Sequence, residues 1–275
     1  PGAPADGPHD GGSPDGGAAP PDTVVRRSGA GPLVNRVRIE HPVPGQAVLP
    51  PLVVAGEAPG PWYFEADFPM RMVAGDGRVL SDTFATARGE WMTSGPVPFR
   101  AVLRLPPEPG PAMLLLVRAN ASGRPAHDAE VGIPLRVAGA GAPRVYFPNS
   151  VLDPGAVDCS RVFPVARPGA SGQGDGEAVP EAARRLLAAL LEGPRPAERS
   201  AGYHTAVPAG AGVRSVAVRD GTLRVDFDRG MSERVGGSCR VQAIRAQVDS
   251  TLARLPGIRR VEIAVEGSVE GALQP

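Results

Sequence analysis

The 275-residue chain contains no lysine, so all 29 of its basic residues are arginine. That absence removes Schiff-base chemistry, the lysine of a phosphate-binding P-loop and a Ser-Lys dyad. A genome rich in Arg codons is the ordinary cause of such a bias. An excess of one charge sign is also missing, because 29 acidic residues balance the 29 basic ones. No global field therefore recommends nucleic acid, an anionic membrane or an acidic substrate as partner. Apolar runs stay far short of the roughly 18 residues of a membrane-spanning helix, the longest being 112–117 and 186–191. Aromatic residues make up only 4%.

What the chain has in quantity is glycine and proline, 36 and 33 residues, a quarter of the total. Together with the length, this argues for two small domains rather than one large one. Residues 1–34 hold 15 Gly or Pro and almost no apolar periodicity. They cannot bury enough surface to offset chain entropy and are expected to form a disordered tail. The chain opens at Pro1 without Met, so a native N-terminus is expected to have been removed or trimmed, a signal or lipoprotein peptide being one candidate for the missing part. A second break, 138–143, places the domain boundary between 35–138 and 143–275.

The first domain shows apolar alternation and no helix. In 62–72 every even position is apolar and most odd ones are polar. Period two predicts a strand with Tyr63, Glu65, Asp67 and Arg71 on its solvent side, a candidate interaction surface. Asp76-Gly77 turns this strand back into 78–88. Further strands are expected at 37–41, 48–56, 99–105, 112–120 and 130–137, about seven in about 100 residues, the pattern of an immunoglobulin-like β-sandwich. No cysteine lies here, so apolar packing must hold the sheets, with Trp62 and Trp91 as the largest candidates.

The second domain mixes elements. Strands are expected at 144–147 and 160–167, then a mobile loop over 168–176. Pro180 suits the first turn of a helix. Ala183, Leu186, Leu187, Leu190 and Leu191 share one face, and Gly193-Pro194 ends it. Asp220-Gly221 joins 213–218 to 222–227 as a hairpin. Val241, Ile244, Val248, Leu252 and Leu255 mark a second helix, with Ser238 as its expected N-cap, and 260–265 closes as a strand. The order ββαββαβ describes a small α+β domain with helices on one sheet face.

Candidate chemistry is sparse. Cys159 and Cys239 are the only cysteines, and an even count behind a secretory-looking front favours a disulfide between them. Two buried thiols, or Cys239 as a nucleophile activated by the helix it opens, are the alternatives, the latter without a partner base. His9, His41, His127 and His204 lack zinc-ligand spacing. Nucleophile-elbow, P-loop and dinucleotide motifs are absent. No cofactor is expected. Glu65 with Asp67, and Asp226 with Asp228, are carboxylate pairs that could serve glycoside hydrolysis only within a cleft that raises one pKa.

Some residue patterns resemble known families. Trp62-Tyr63-Phe64-Glu65-Ala66, Trp91-Met92-Thr93, Pro98-Phe99 and Asn120-Ala121-Ser122-Gly123 resemble the immunoglobulin-like domain associated with bacterial spore germination. The stretch 186–194, Gly202-Tyr203, Val225-Asp226-Phe227, Gly236-Gly237-Ser238-Cys239-Arg240 and Thr251-Leu252 look like the GerMN sporulation and germination domain. The resemblance implies an extracytoplasmic protein, often a lipoprotein, acting as a non-enzymatic module in envelope or spore-related assembly. It supplies no catalytic residues. Its fold kinship with ring-building motifs implies an envelope protein or cell-wall component as partner, or self-association. No nucleic acid is expected, and contact with a membrane only through a removed N-terminal anchor. The alternative is a cell-wall hydrolase using Asp226 and Asp228.

Overall fold

Alternation in the first half becomes strands, as period two requires. The computed structural model describes residues 25–28, 31–170, 178–269 and 273. Nine strands come first: β1 (Val25–Ser28), β2 (Arg38–His41), β3 (Ala47–Val48), β4 (Leu52–Pro59), β5 (Asp67–Ala74), β6 (Val79–Ala87), β7 (Pro96–Leu103), β8 (Gly110–Val117) and β9 (Ala129–Val137). Hydrogen bonds link them in the order β1-β9-β8-β5-β6-β7-β4-β2, with β3 also beside β9. β6 pairs with β5 along its length but with β7 only through Thr86 and Ala87. That two-residue corner divides the path into two facing layers. Between them lie Met70, Met72, Leu114, Leu116, Ile133 and Leu135 from one layer and Leu52, Val54, Phe99 and Leu103 from the other. Phe68 anchors one end, with ring centroids 6.2 Å from Trp62, 5.2 Å from Tyr63 and 5.0 Å from Phe99, all edge-on. Such pairs add about 0.5–1.5 kcal/mol each beyond area burial. Trp91 is only partly buried at the margin of this cluster.

The expected tail ends sooner than its composition suggests. Val25–Ser28 pairs antiparallel with Ala129 to Gly132 of β9, and a 3-10 helix at Gly31–Arg36 leads into β2. Backbone groups alone suffice to join a sheet edge, so Gly and Pro content does not forbid it. Residues 1–24 and 29–30 lie outside the described residues, as does 171–177 of the loop expected to be mobile.

The second half contains β10 (Arg144–Phe147), β11 (Phe163–Ala166), α1 (Val179–Leu191), α2 (Pro196–Ser200), β12 (Val213–Arg219), β13 (Thr222–Phe227), α3 (Ser238–Leu252) and β14 (Arg260–Val265). The smaller α+β character stands, but the order and the single sheet are corrected. α2 interrupts the expected order, and the strands form two sheets, β10-β11 and β12-β13-β14, the last pair parallel. A five-residue helix is too short to carry an apolar period. α2 is marked instead by Pro196 and by Glu198, whose carboxylate takes the Arg195 N–H at 2.8 Å. α1 begins at Val179 with Pro180 in its first turn, and Gly193, at φ +74°, ends it. α3 starts differently from expectation. Gly237, at φ +85°, holds the cap position, and Ser238 is already helical with no side-chain cap bond.

The two halves share one junction. β4 reads Leu52-Val53-Val54-Ala55 without alternation and is buried on both sides. Leu52 and Val54 point into the sandwich core, whereas Val53 belongs to the core of the second half, beside Phe147, Leu187 and Phe227. His41 of β2 is buried there too, its Nδ1 2.7 Å from the Val53 carbonyl and its ring 6.3 Å from that of Tyr203. Arg144 pins the connecting segment by donating to the carbonyls of Gly139, Ala140 and Ala142.

Candidate interaction surface

The four residues expected on one solvent face do not share it. Glu65 and Ala66 both take left-handed backbone, at φ +52° and +67°, and Phe64 and Asp67 bond to each other across this tight turn. The turn breaks the alternation, so the strand begins at Asp67 rather than Trp62. Tyr63 is therefore buried, donating its hydroxyl to the Val97 carbonyl at 2.8 Å. Burial raises the pKa of that hydroxyl. Phe64, apolar and expected inside, is 52% exposed. Glu65 occupies the turn, Asp67 the half-buried first strand position, and only Arg71 keeps the expected exposed position on a strand face.

Arg71 stands on a face that sequence reasoning did not assemble. Register places it opposite Asp82 of β6 and Leu115 of β8, and Leu115 opposite Gly132 of β9. The same side of the layer carries Pro69 and Val73, Val79 and Phe84, and Met113 and Val117. Phe84 is 62% exposed and Val79 56%, while Met113, Leu115 and Val117 are half-exposed. A Cβ on Gly132 would stand 3.1 Å from the Met113 sulfur and 3.4 Å from Leu115, so its absence lets both side chains lie across the strand. The signal was in the sequence as the unbroken run 112–117, which a sheet wet on one side should not contain.

The carboxylate pair proposed for hydrolysis is engaged in structure. Asp226 accepts the Gly267 N–H at 2.7 Å and faces Arg214 at 3.5 Å. Asp228 accepts the N–H groups of Gly212 and Gly230, both at 3.0 Å. These contacts tie loops to the end of β13. Ser122 and His127 also meet, Oγ to Nδ1 at 2.8 Å, but the Ser122 hydroxyl donates to Asn120 Oδ1 at 2.7 Å. His204 is exposed, its Nδ1 3.4 Å from the Gly202 carbonyl. Among the described residues no group of three metal-ligating side chains forms. A cleft of about 580 Å³ borders the connecting segment, one side of α1 and the end of α3, and two arginines stand on its wall, Arg144, already bonded to the carbonyls of that segment, and Arg254.

Cys159, in a turn between β10 and β11, is bonded to Cys239 in the first turn of α3. Neither thiol is free.

Residues 36–124 match the family model Gmad2, the immunoglobulin-like domain of bacterial spore germination, and residues 144–270 match that of the sporulation and spore germination domain Germane. The chain joins these two families in one polypeptide. The motif resemblance in both halves is thus matched by the family models. Gmad2 and Germane are germination-related domain families rather than known enzyme families. Among solved structures, the tandem GerMN domains of the sporulation protein GerM from Bacillus subtilis are similar over 58% of this chain, at 14% identity and a TM-score of 0.27. The chain spans 40% of that structure's length. No curated protein matches the chain.

Proposed function

We propose that this chain is a non-enzymatic, extracytoplasmic binding or assembly module of the bacterial cell envelope, related to sporulation or germination. In this reading its Gmad2 domain presents the surface and its Germane domain braces the opposite side. The observation that carries it is the contrast between the two outer faces of the sandwich. One is covered by the Germane half through Val53 and His41, while the other leaves Phe84, Val79, Leu115 and Met113 in reach of solvent. Isolated exposed apolar residues need no explanation, but a contiguous patch marks an interaction site. The Cys159–Cys239 bond supports an oxidising compartment. An N-terminal lipid anchor, implied by the family resemblance, completes the reading.

The test is capture from envelope extracts and sedimentation with purified peptidoglycan, using the whole chain and a Phe84→Glu variant. Retention of an envelope component by the first and not by the second is expected. Loss of the reading would come from equal retention by both, or from release of soluble fragments from peptidoglycan that Asp226→Ala abolishes.

A further inference from the structure

We infer that the open face of the Gmad2 domain docks a second copy of this chain, face to face. This rests on the reading of that face as a binding surface and names its occupant. Two strands here lack the alternation of a half-wet sheet. The β4 run is explained within the chain, because Val53 enters the Germane core. The run in β8 is explained on one side only. Ala112, Leu114 and Leu116 fill the sandwich, while Met113, Leu115 and Val117 face outward, half-exposed.

The occupant follows from where the charges stand. The outer face carries Arg71, Asp82, Glu130 and Arg136, and among the described residues none of the four has an ion-pair partner. An uncharged apolar partner would leave Glu130 and Arg136 to be desolvated without compensation. A second copy does not. Leu114 and Ile133 are paired at the centre of β8 and β9. A two-fold axis crossing the strands at their level sets Leu115 over the copy's Met113, Val117 over its Pro111 and Glu130 over its Arg136. Each contact occurs twice, as an isologous interface demands. Arg71 and Asp82 sit opposite one another within each copy and neutralise each other as water leaves. Strands of the two copies then run near-aligned, the ordinary packing of one sheet on another.

Four strands about 4.8 Å apart, with some seven residues at about 3.4 Å, make a face of roughly 450 Å². A standard interface takes about 800 Å² from each partner. The contact is accordingly weak, with dissociation in the micromolar range or above.

Sedimentation equilibrium of the whole chain over a concentration series up to roughly 200 µM tests this. The expected mass rises with concentration from 28.3 kDa toward twice that value. Leu115→Glu should hold it at the monomer mass. Glu130→Arg and Arg136→Glu should each weaken the dimer about tenfold or more by setting like charges together. The double reversal Glu130→Arg/Arg136→Glu should restore it to within about threefold of the parent. All substitutions lie on an outer face, and unchanged circular dichroism and melting establish that each variant is folded. A monomer at every concentration overturns the second-copy inference. So does a dimer indifferent to Leu115→Glu, or one that the double reversal does not rescue. A chain that stays monomeric yet retains an envelope component through Phe84 would lose this inference and keep the binding reading.

Discussion

Arg167 and Glu198 meet in a two-pronged ion pair, Nη1 to Oε1 at 2.6 Å and Nη2 to Oε2 at 2.8 Å, with side chains only 3% and 2% exposed. The guanidinium also lies over the Phe147 ring, 5.8 Å from its centroid. Removing one partner strands the other charge out of water. Glu198→Gln or Arg167→Met should each cost about 3–5 kcal/mol in urea unfolding, while the pair Arg167→Met/Glu198→Leu should cost far less than the sum.

His41 makes stability depend on pH. Burial is the main influence and lowers its pKa, opposed by the Val53 carbonyl and by the charge of Glu198. Gln46 lies 3.5 Å from its other ring nitrogen and Tyr203 packs beside it. A histidine with a depressed pKa is neutral in the fold and takes up its proton more readily when unfolded. Its contribution is complete above about pH 6.5 and is lost as pH falls from there toward the folded pKa. Unfolding free energies measured from pH 8 down to pH 5 should decline, and the decline should be shallower in His41→Gln.

The Cys159–Cys239 bond spans 80 residues. Loop entropy alone assigns such a closure about 4.5 kcal/mol. Cys159→Ser/Cys239→Ser should lower stability by a few kcal/mol, and thiol titration of the native protein should find no reactive group until a reductant is added.

Val53 links two cores from one strand, so Val53→Asp places an uncompensated charge where the Germane half expects a methyl-bearing side chain. The parent should unfold in one transition. The variant should show two, with the Germane half melting first, because only its core loses the contact. Calorimetry distinguishes one peak from two.

Much of the fold was legible because single strands and helices carry their own period. α1 could be read from Pro180, the leucine face and Gly193, and the hairpins from Asp76-Gly77 and Asp220-Gly221. What could not be read depends on neighbours. Left-handed Glu65 and Ala66 turn the chain where alternation predicted an unbroken strand, which put Tyr63 inside and Phe64 outside. α2 is defined by Glu198 reaching back to Arg195, a contact of three residues with no apolar signature. The candidate surface was glimpsed through one residue, Arg71. The rest required the register of four strands, which no strand encodes alone. The unbroken runs in β4 and β8 look alike in sequence, and only the structure separates the covered one from the open one.

The outer rim of β9 is divided between β1, which runs against it, and β3, which runs with it. The strand that then ends the layer is four residues long and includes Arg26 and Arg27. At the other end of the path, β2 lies against α2. Neither rim offers a long, flat ladder of unpaired amides on which further chains could add strand by strand. Strand-by-strand growth through the rims of this sandwich is thereby disfavoured, which leaves its broad faces rather than its edges to meet another surface.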